Sequence, residues 1–284
     1  MIQNLFKKGV SFFKTWLTWK PRVYWWSVRN EHGYDRENFG DIITPYIVEA
    51  LTGQYPFYIS MRTRLPKFFK HSIMVGSIIA SSKPNTIVWG SGIIKENEVI
   101  NGGTFLAVRG PKTAKRLMEL GFRAPEIYGD PALLLSKLYN RDNIEKSFKF
   151  GLISHYIDFD EMHSNLYPND DVLHIDLRTN SVENVIDEIL KCEKIISTSL
   201  HGIIVAHSYG IPAVWWKYSD KLSGDNIKFV DYYESIEISN FTDNNDKTLN
   251  EIIETNNFIL PKVNVIKNIQ DGLLKSFPYT IRNA

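Results

Sequence analysis

Cysteine is almost absent from this chain, which has 284 residues and a single cysteine, Cys192. One cysteine excludes an internal disulfide framework and fits a reducing compartment. Long apolar runs are also absent, because no stretch approaches the ~20 residues that a membrane-spanning helix needs. The net charge is only +1, which gives no general attraction to nucleic acid. What remains, with 43% hydrophobic and 23% charged residues, is the composition of an ordinary globular protein.

Recognisable phosphate-binding and metal-binding motifs are missing as well. The sequence "WGSG", residues 89–92, lacks the spacing of G-x-G-x-x-G, and no Walker lysine motif occurs. H-E-x-x-H is absent, and no group of His, Cys and Asp has metal-ligand spacing. Outside the N-terminus, no basic stretch with interleaved aromatic residues of nucleic-acid-binding type stands out. The sequence therefore predicts no metal and no nucleic-acid partner.

Acidic residues are missing from the first 30 positions, which carry six Lys and Arg residues among eight aromatic ones. Lys14 interrupts the apolar stretch and no small-residue cleavage site follows, which argues against a signal peptide. One interpretation is a helix at residues 1–20 that lies on an anionic membrane surface. The alternative is a helix packed on the domain, followed by a first strand at residues 22–28.

Short apolar runs alternate with helical patterns along most of the chain. The strongest patterns in the first half predict strands at residues 72–77, 86–92 and 104–110, and helices at 41–53 and 111–121. The polar segment at 138–149 is the best candidate for a linker. Beyond it the alternation resumes and ends with a predicted helix at 264–277.

Strands that alternate with helices form parallel sheets. We therefore predict an α/β fold of two doubly wound, Rossmann-like domains that face a cleft. The predicted domains are residues 1–140 and 147–284, and the last helix is expected to pack back on the first domain.

Ligands of open parallel sheets bind at the carboxyl ends of the strands. His201 lies at such an end, at the start of a helix whose first backbone N–H groups are free. The other polar or glycine residues predicted at strand ends are Gly40, Asp41, Ser91, Gly92, Arg109, Gly110 and His155. A histidine satisfied within its loop is the structural alternative for His201, whereas His207 is expected to pack inside its helix.

His201 and Arg109 suit chemistry on a small anion. Histidine exchanges a proton near neutral pH, and the guanidinium fork of arginine matches phosphate or carboxylate. Asn38 and Asp41 add a polar pair from the first domain. Together these residues predict a site for an anionic small molecule and a hydroxyl-bearing partner.

Seven stretches in fixed order resemble the polysaccharide pyruvyl transferases found with bacterial exopolysaccharide genes. They are "ENFGDIITPYIVEALTG", "TIVWGSGII", "AVRGPKTAKRLMELG", "YGDPALLL", "GLISHYID", "STSLHGIIVAHSYGIPAVWW" and "KLSGDNIKFVDYY". The resemblance runs from about residue 38 to about residue 233. It implies two facing domains similar to those of GT-B glycosyltransferases, with the acceptor on the first and the donor on the second.

The resemblance also implies a reaction. Members transfer the enolpyruvyl group of phosphoenolpyruvate to two hydroxyls of a sugar as a ketal and release phosphate, without a cofactor. The family's phosphate-binding arginine matches Arg109, and its histidine, the general acid, matches His201. Asp41 is our candidate for the base that activates each hydroxyl, while Asn38, Gly40 and Ser91 are assigned to the acceptor. An acceptor carried on a lipid implies a cytoplasmic enzyme at the inner face of the plasma membrane, held there by the basic N-terminus.

One position departs from the family pattern. Many members have arginine before the Leu-His pair, where this chain has Ser199, so one phosphate ligand is missing. Either Ser199 and the helix N-terminus serve instead, or Lys217 reaches over. The remaining residues assigned to the donor are Leu200, Gly202 and His155.

Two other functions are compatible with the same sequence. A nucleotide-sugar glycosyltransferase of GT-B type would share the fold but needs a ribose-binding acid, for which Glu234 is the candidate. A non-catalytic scaffold of polysaccharide assembly is supported only by the missing arginine. Loss of function in His201→Ala would distinguish an enzyme from that scaffold.

Overall fold

A computed structural model describes residues 20–141, 144–165 and 170–282 of the chain. The first half is built on a five-stranded sheet in which every neighbouring pair is parallel. In spatial order its strands are β3 (Phe57–Tyr58), β1 (Arg22–Tyr24), β4 (His71–Ile73), β5 (Thr86–Trp89) and β6 (Thr104–Ala107). The predicted helix N-terminal to β1 lies outside the described residues.

The second half is built on a four-stranded sheet that is also entirely parallel. In spatial order its strands are β11 (Ala213–Trp215), β10 (Cys192–Ser197), β7 (Phe148–Ser154) and β8 (Val172–Asp176). Parallel sheets in both halves confirm the predicted α/β class. Strand β7 begins inside the segment that we predicted as linker, since Phe148 already pairs with Cys192.

A short antiparallel pair connects the two halves. Strand β2 (Glu37–Asn38) pairs with β9 (Arg178–Thr179), and the Phe39 N–H donates to the Leu177 carbonyl over 2.8 Å. The sequence did not predict this pair, because strands of two residues carry no period of alternation.

Helices pack around the sheets as their apolar faces require. They are α1 (Val28–His32), α2 (Phe39–Thr52), α3 (Leu65–Phe68), α4 (Pro111–Glu119), α5 (Leu135–Leu138), α6 (Phe159–Asn165), α7 (Val182–Leu190), α8 (Leu200–Ser208), α9 (Ile227–Ser235), α10 (Leu249–Thr255) and α11 (Val263–Lys275). Helix α7 is representative, because its buried residues Val182, Val185, Ile186 and Ile189 recur at helical spacing. Each such side chain contributes about 1.5–3 kcal/mol when fully buried.

Both halves share one hydrophobic cluster. It contains Val23 and Trp89 from the first sheet together with Ile153, Ile195 and Trp215 from the second. The end of α2 is set by its C-cap residue. As predicted, α2 ends at a left-handed glycine, Gly53, whose φ is 71°.

Helix α11 lies against residues of the first half. The Trp89 Nε1–H donates to the Leu273 carbonyl over 3.0 Å, and Gln270 Nε2 donates to the Leu133 carbonyl over 2.7 Å. The chain then continues to Arg282, whose backbone N–H donates to Leu51. None of the helices in the described ranges is both long and apolar enough to cross a membrane.

Candidate active site

The N-termini of α2 and α8 meet at the ring of His201. A Cβ atom placed on Gly40 would lie 2.7 Å from Cε1 and 2.8 Å from Cγ of His201, so only glycine leaves room for the ring. Gly40 is in the first turn of α2, and His201 is the second residue of α8. Backbone N–H groups and the positive ends of two helix dipoles therefore converge on one side chain, an arrangement that favours anions.

His201 faces a buried carboxylate, Asp130. Their nearest atoms, His201 Nε2 and Asp130 Oδ2, are 3.9 Å apart. Both atoms are buried, and neither has a hydrogen-bond partner within the described part of the chain. The other oxygen of Asp130 accepts from the Ala132 N–H over 2.9 Å, which fixes the carboxylate at the start of a 3₁₀ helix. Two unsatisfied polar atoms at this spacing are costly unless they serve a ligand or a proton.

The pKa values of this pair are shifted in opposite directions, so that the pKa of Asp130 lies above that of His201. Burial lowers the pKa of His201 to about 3, with further lowering by the charges of Lys228, Arg109 and His155. Burial raises the pKa of Asp130 to about 6, opposed by the Ala132 hydrogen bond and by Arg109. His201 is thus neutral at pH 7 without a bound anion. A nearby negative charge would favour its protonation.

Arg109 is completely buried and its guanidinium group is already engaged. Nε donates to Asp231 over 3.0 Å, Nη1 to Ser77 over 2.6 Å and Nη2 to the Ile93 carbonyl over 2.7 Å. Gly92 permits this position, since a Cβ there would lie 2.6 Å from Nη2. Sequence reasoning expected an open phosphate-binding fork. In the structure Arg109 instead forms a buried ion pair with Asp231. The charge of Arg109 still lowers the pKa of His201.

Lys228 is a cation that sequence reasoning missed. It lies half-buried in the first turn of α9, and no hydrogen bond or ion pair connects its ammonium group to any described residue. Burial, followed by the charge of Arg109, lowers the pKa of Lys228 to about 8. Its charge in turn lowers the pKa values of His155 and His201. An unpaired lysine in this position is a candidate ligand for phosphate or carboxylate.

The other residues predicted for the donor lie in two groups. His155, Ser199, Leu200 and Gly202 follow the ends of β7 and β10, and the His155 N–H donates to Thr198 Oγ1 over 2.7 Å. Ser199 is the N-cap of α8, yet its side chain caps no backbone N–H. Lys217 is separate, because its ammonium group pairs with Asp220 over 2.7 Å. Lys228, not Lys217, is therefore the lysine whose charge reaches His201.

The residues predicted for the acceptor also fall into two groups. Asn38 occupies the N-cap position of α2 without a capping hydrogen bond from its side chain, and its Nδ2 donates to Asp41 Oδ2 over 2.9 Å. Burial raises the pKa of Asp41 to about 7, opposed by Asn38 and reinforced by the charge of Glu37. A carboxylate that titrates near neutrality suits a general base. Ser91, in contrast, is fully buried and its hydroxyl donates to the Gly76 carbonyl over 2.8 Å.

Two further residues have clear structural positions. His207 packs in the core as predicted, with Nδ1 2.9 Å from the Tyr232 hydroxyl and Nε2 3.0 Å from the Ile259 carbonyl. Glu234, the candidate for ribose binding, forms an ion pair with Lys112 over 2.8 Å.

A cluster of three or more potential metal ligands does not occur within the described ranges.

Asp130 and Lys228 were not predicted as site residues, although both lie in stretches that resemble the family. Asp130 belongs to "YGDPALLL" and Lys228 to "KLSGDNIKFVDYY".

Comparison with known proteins shows which family the chain resembles. The chain is 34% identical over 202 residues to the uncharacterized protein L143 of Acanthamoeba polyphaga mimivirus, an alignment that covers 69% of each chain. It is 25% identical over 234 residues to the succinoglycan biosynthesis protein ExoV of Rhizobium meliloti (strain 1021), covering 77% of this chain and 66% of the relative. No solved structure matches the chain significantly. Residues 38–220, which include Asn38, Arg109, Asp130 and His201, match the family described as polysaccharide pyruvyl transferase, and the chain therefore belongs to that family.

Proposed function

We propose that this protein transfers the enolpyruvyl group of phosphoenolpyruvate to two hydroxyls of one sugar unit, forming a pyruvate ketal and releasing phosphate. The observation that carries the proposal is the anion-favouring environment of His201. Two helix N-termini, the buried Arg109 and the unpaired Lys228 surround a histidine that has a carboxylate 3.9 Å away. A donor with a phosphate and a carboxylate complements this cationic cluster.

In the proposed mechanism His201 acts as the acid. The charges of the bound donor raise the pKa of the imidazole, which then protonates the methylene carbon of the enol. The neighbouring carbon becomes electrophilic and bonds to the first sugar hydroxyl, whose proton passes to Asp41. The second hydroxyl then bonds to the same carbon, while the bond between that carbon and the phosphate oxygen breaks. One of the two hydroxyl protons restores the proton that His201 gave to the new methyl group. The other leaves with phosphate.

Asp130 is the positioning partner of His201 in this scheme. A carboxylate whose pKa is raised to about 6 beside the imidazole Nε2 stabilises the imidazolium once it forms. Lys228 and the N–H groups at the start of α8 take the place of the arginine that Ser199 replaces. Arg109, held by Asp231, contributes its charge to the departing phosphate. No cofactor enters the scheme.

The architecture that we propose is a pair of facing Rossmann-like domains of GT-B type, residues 1–140 and 147–284. The separate parallel sheets of the two halves support this division. Asn38, Gly40 and Asp41 would present the acceptor from the first domain. His155, residues 199–202 and Lys228 would hold the donor on the second.

We propose a lipid-linked glycan as the acceptor and the inner face of the plasma membrane as the place of action. The family and the name of the succinoglycan relative support a polysaccharide precursor. A basic surface of the described chain supports contact with anionic lipid. No Asp or Glu occurs from residue 50 to residue 95, and Arg64, Lys67 and Lys70 are exposed there, while Arg62 is paired with Glu31 over 2.6 Å. Phe68, exposed by 70%, projects from the same segment.

Ligand-dependent thermal unfolding tests the donor. Phosphoenolpyruvate, uridine diphosphate and guanosine diphosphate are added separately to the wild-type protein and to His201→Ala. A ligand at 100 times its dissociation constant adds about 2.7 kcal/mol of stability, which a melting curve resolves. We expect stabilisation by phosphoenolpyruvate alone, and phosphate release with a sugar acceptor only in the wild type. Stabilisation by a nucleotide alone would refute the proposal in favour of a nucleotide-sugar glycosyltransferase.

A further inference from the structure

Two tyrosine side chains border the candidate active site and have unpaired hydroxyl groups. Tyr156 is the second residue after β7 and is half-buried, while Tyr34 lies between α1 and β2 and is 64% exposed. Within the described ranges, no hydrogen bond reaches either hydroxyl. Ile157, next in the chain to Tyr156, is also 40% exposed. Exposed apolar side chains that cluster at the edge of a site are typical of ligand-binding surfaces.

A single arginine connects the segments that carry the two tyrosines. Strand β2 begins three positions after Tyr34, and its Asn38 pairs with Arg178 of β9. The side chain of Arg178 extends to the segment that follows Tyr156, where its Nη1 donates to Asp160 Oδ1 over 2.9 Å. The two segments, which belong to different halves of the chain, are therefore neighbours.

Tyr156 is close to the residues proposed for catalysis. Its ring packs against that of His155, with centroids 4.5 Å apart, and the charge of His155 acts on His201. Burial raises the pKa of Tyr156, and the charges of Asp41 and Tyr34 raise it further. Electrostatic effects of this kind fade beyond ~10 Å, so Asp41 and Tyr34 are both near neighbours of Tyr156. The Tyr156 hydroxyl stays protonated at neutral pH and can donate a hydrogen bond to a ligand.

The surroundings of Tyr156 favour a neutral sugar over a nucleotide. A sugar ring has apolar C–H faces and hydroxyl edges, so one face can pack on a tyrosine ring while a hydroxyl donates to a neighbouring carboxylate. Asp41 supplies that carboxyl group, and the charge of Glu37 acts on Asp41 from the same side. Negative charge of this kind disfavours the phosphates of a nucleotide.

We propose that Tyr156 and Tyr34 form an aromatic wall of the acceptor site and hold the ring of the reacting sugar against Asp41. Their role is to bind and orient the sugar, so they should determine the affinity for the acceptor and leave the affinity for phosphoenolpyruvate unchanged. This inference rests on the proposed function, from which it takes the role of Asp41 towards the acceptor. The aromatic wall itself is argued from two unpaired tyrosines that lie beside that residue.

Fluorine NMR of protein that carries 3-fluorotyrosine tests the aromatic wall residue by residue. The resonances of Tyr34, Tyr156 and Tyr55 are assigned by their loss in the corresponding Tyr→Phe variants. The probes are the methyl pyranosides of glucose, galactose and mannose, together with uridine, a nucleoside that also stacks on aromatic rings. Tyr55 is the matched control, because it is 51% exposed and its ring lies against Trp25, which is not part of the candidate site.

We expect at least one pyranoside to shift the resonances of Tyr156 and Tyr34 in a saturable manner, while that of Tyr55 stays unchanged. In Tyr156→Ala, followed at the Tyr34 resonance, this binding should weaken by about 3- to 10-fold. Tyr156→Phe keeps the ring and should lose less, and Tyr55→Ala should bind like the wild type. Unchanged melting temperatures establish that each variant is folded. Tyr34→Ala, at an exposed position, provides the same test if Tyr156→Ala does not fold.

The inference would be overturned if no pyranoside shifted the two resonances, if Tyr55 responded equally, or if uridine alone bound. Equal losses of affinity for the pyranoside and for phosphoenolpyruvate in Tyr156→Ala would also overturn it, because they indicate a purely structural role. Stabilisation of the wild type by phosphoenolpyruvate is measured on the same samples. Its absence would count against the proposed function, while the pyranoside titrations still decide the aromatic wall.

Discussion

Replacing Lys228 with glutamine provides the sharpest test of the donor site, because it should change stability and donor affinity in opposite directions. The ammonium group has no ion-pair partner among the described residues, and its pKa is lowered to about 8 by burial and by Arg109. The charged form is therefore unfavourable in the free protein. This cost is present in full below pH 8 and is relieved as the pH rises from about 8 towards the usual value of 10.5. At pH 7, Lys228→Gln should raise the melting temperature of the ligand-free protein.

The same substitution should weaken binding of phosphoenolpyruvate. Hydrogen bonds to charged groups contribute about 1.5–3 kcal/mol, so loss of one lysine contact corresponds to about 10- to 150-fold in the dissociation constant. Lys217→Gln is the matched control, because Lys217 is paired with Asp220 and does not act on His201.

Isothermal titration with phosphoenolpyruvate measures the affinity, and scanning fluorimetry from pH 7 to pH 10 measures the stability. In this range the melting temperature of the wild type should rise with pH relative to that of Lys228→Gln. Donor affinity within about twofold of wild type in Lys228→Gln, combined with a large loss in Lys217→Gln, would refute our assignment and restore the interpretation that Lys217 replaces the missing arginine.

Three further predictions follow from the geometry. Gly40→Ala should displace the His201 ring, whose Cε1 would lie 2.7 Å from the new Cβ, and lower phosphate release by about 100-fold while the protein stays folded by circular dichroism. If Asp41 is the base, with its pKa near 7, turnover should rise with pH through about 7, and Asp41→Asn should remove this limb from the pH–rate profile. In sedimentation with anionic vesicles, the double variant Lys67→Gln/Lys70→Gln should lose about 2 kcal/mol, or about 30-fold, whereas neutral vesicles should bind both proteins poorly.

The α/β class was predictable because the strands of both sheets are short buried runs separated by helical periodicity. The position of His201 was predictable for a related reason, since parallel strands end at one edge and the helix after β10 begins there. Gly40 and Asp41 were expected at the same edge, and Gly40 does contact His201. These inferences use only local patterns and the general topology of parallel sheets.

The state of Arg109 was not predictable in the same way. Its partner Asp231 is 122 positions away and lies on α9, in the other half of the chain. Nothing in the periodicity of "KFVDYY" distinguishes a buried carboxylate that neutralises an arginine from one that faces solvent. The same limit applies to Lys228, which becomes notable only because the fold leaves it near Arg109 without a counterion.

In the proposed mechanism, Gly40 and the buried charges together would make proton transfer by His201 depend on prior binding of the donor. The close contact at Gly40 fixes the imidazole, but burial and two nearby cations keep it neutral, since they lower its pKa to about 3. Asp130 alone cannot reverse this, because its own pKa is raised to about 6 and its Oδ2 is 3.9 Å from Nε2. A donor that brings negative charge would offset Lys228 and Arg109 at the moment it binds. Protonation of His201 would then be coupled to the presence of the group that it must protonate.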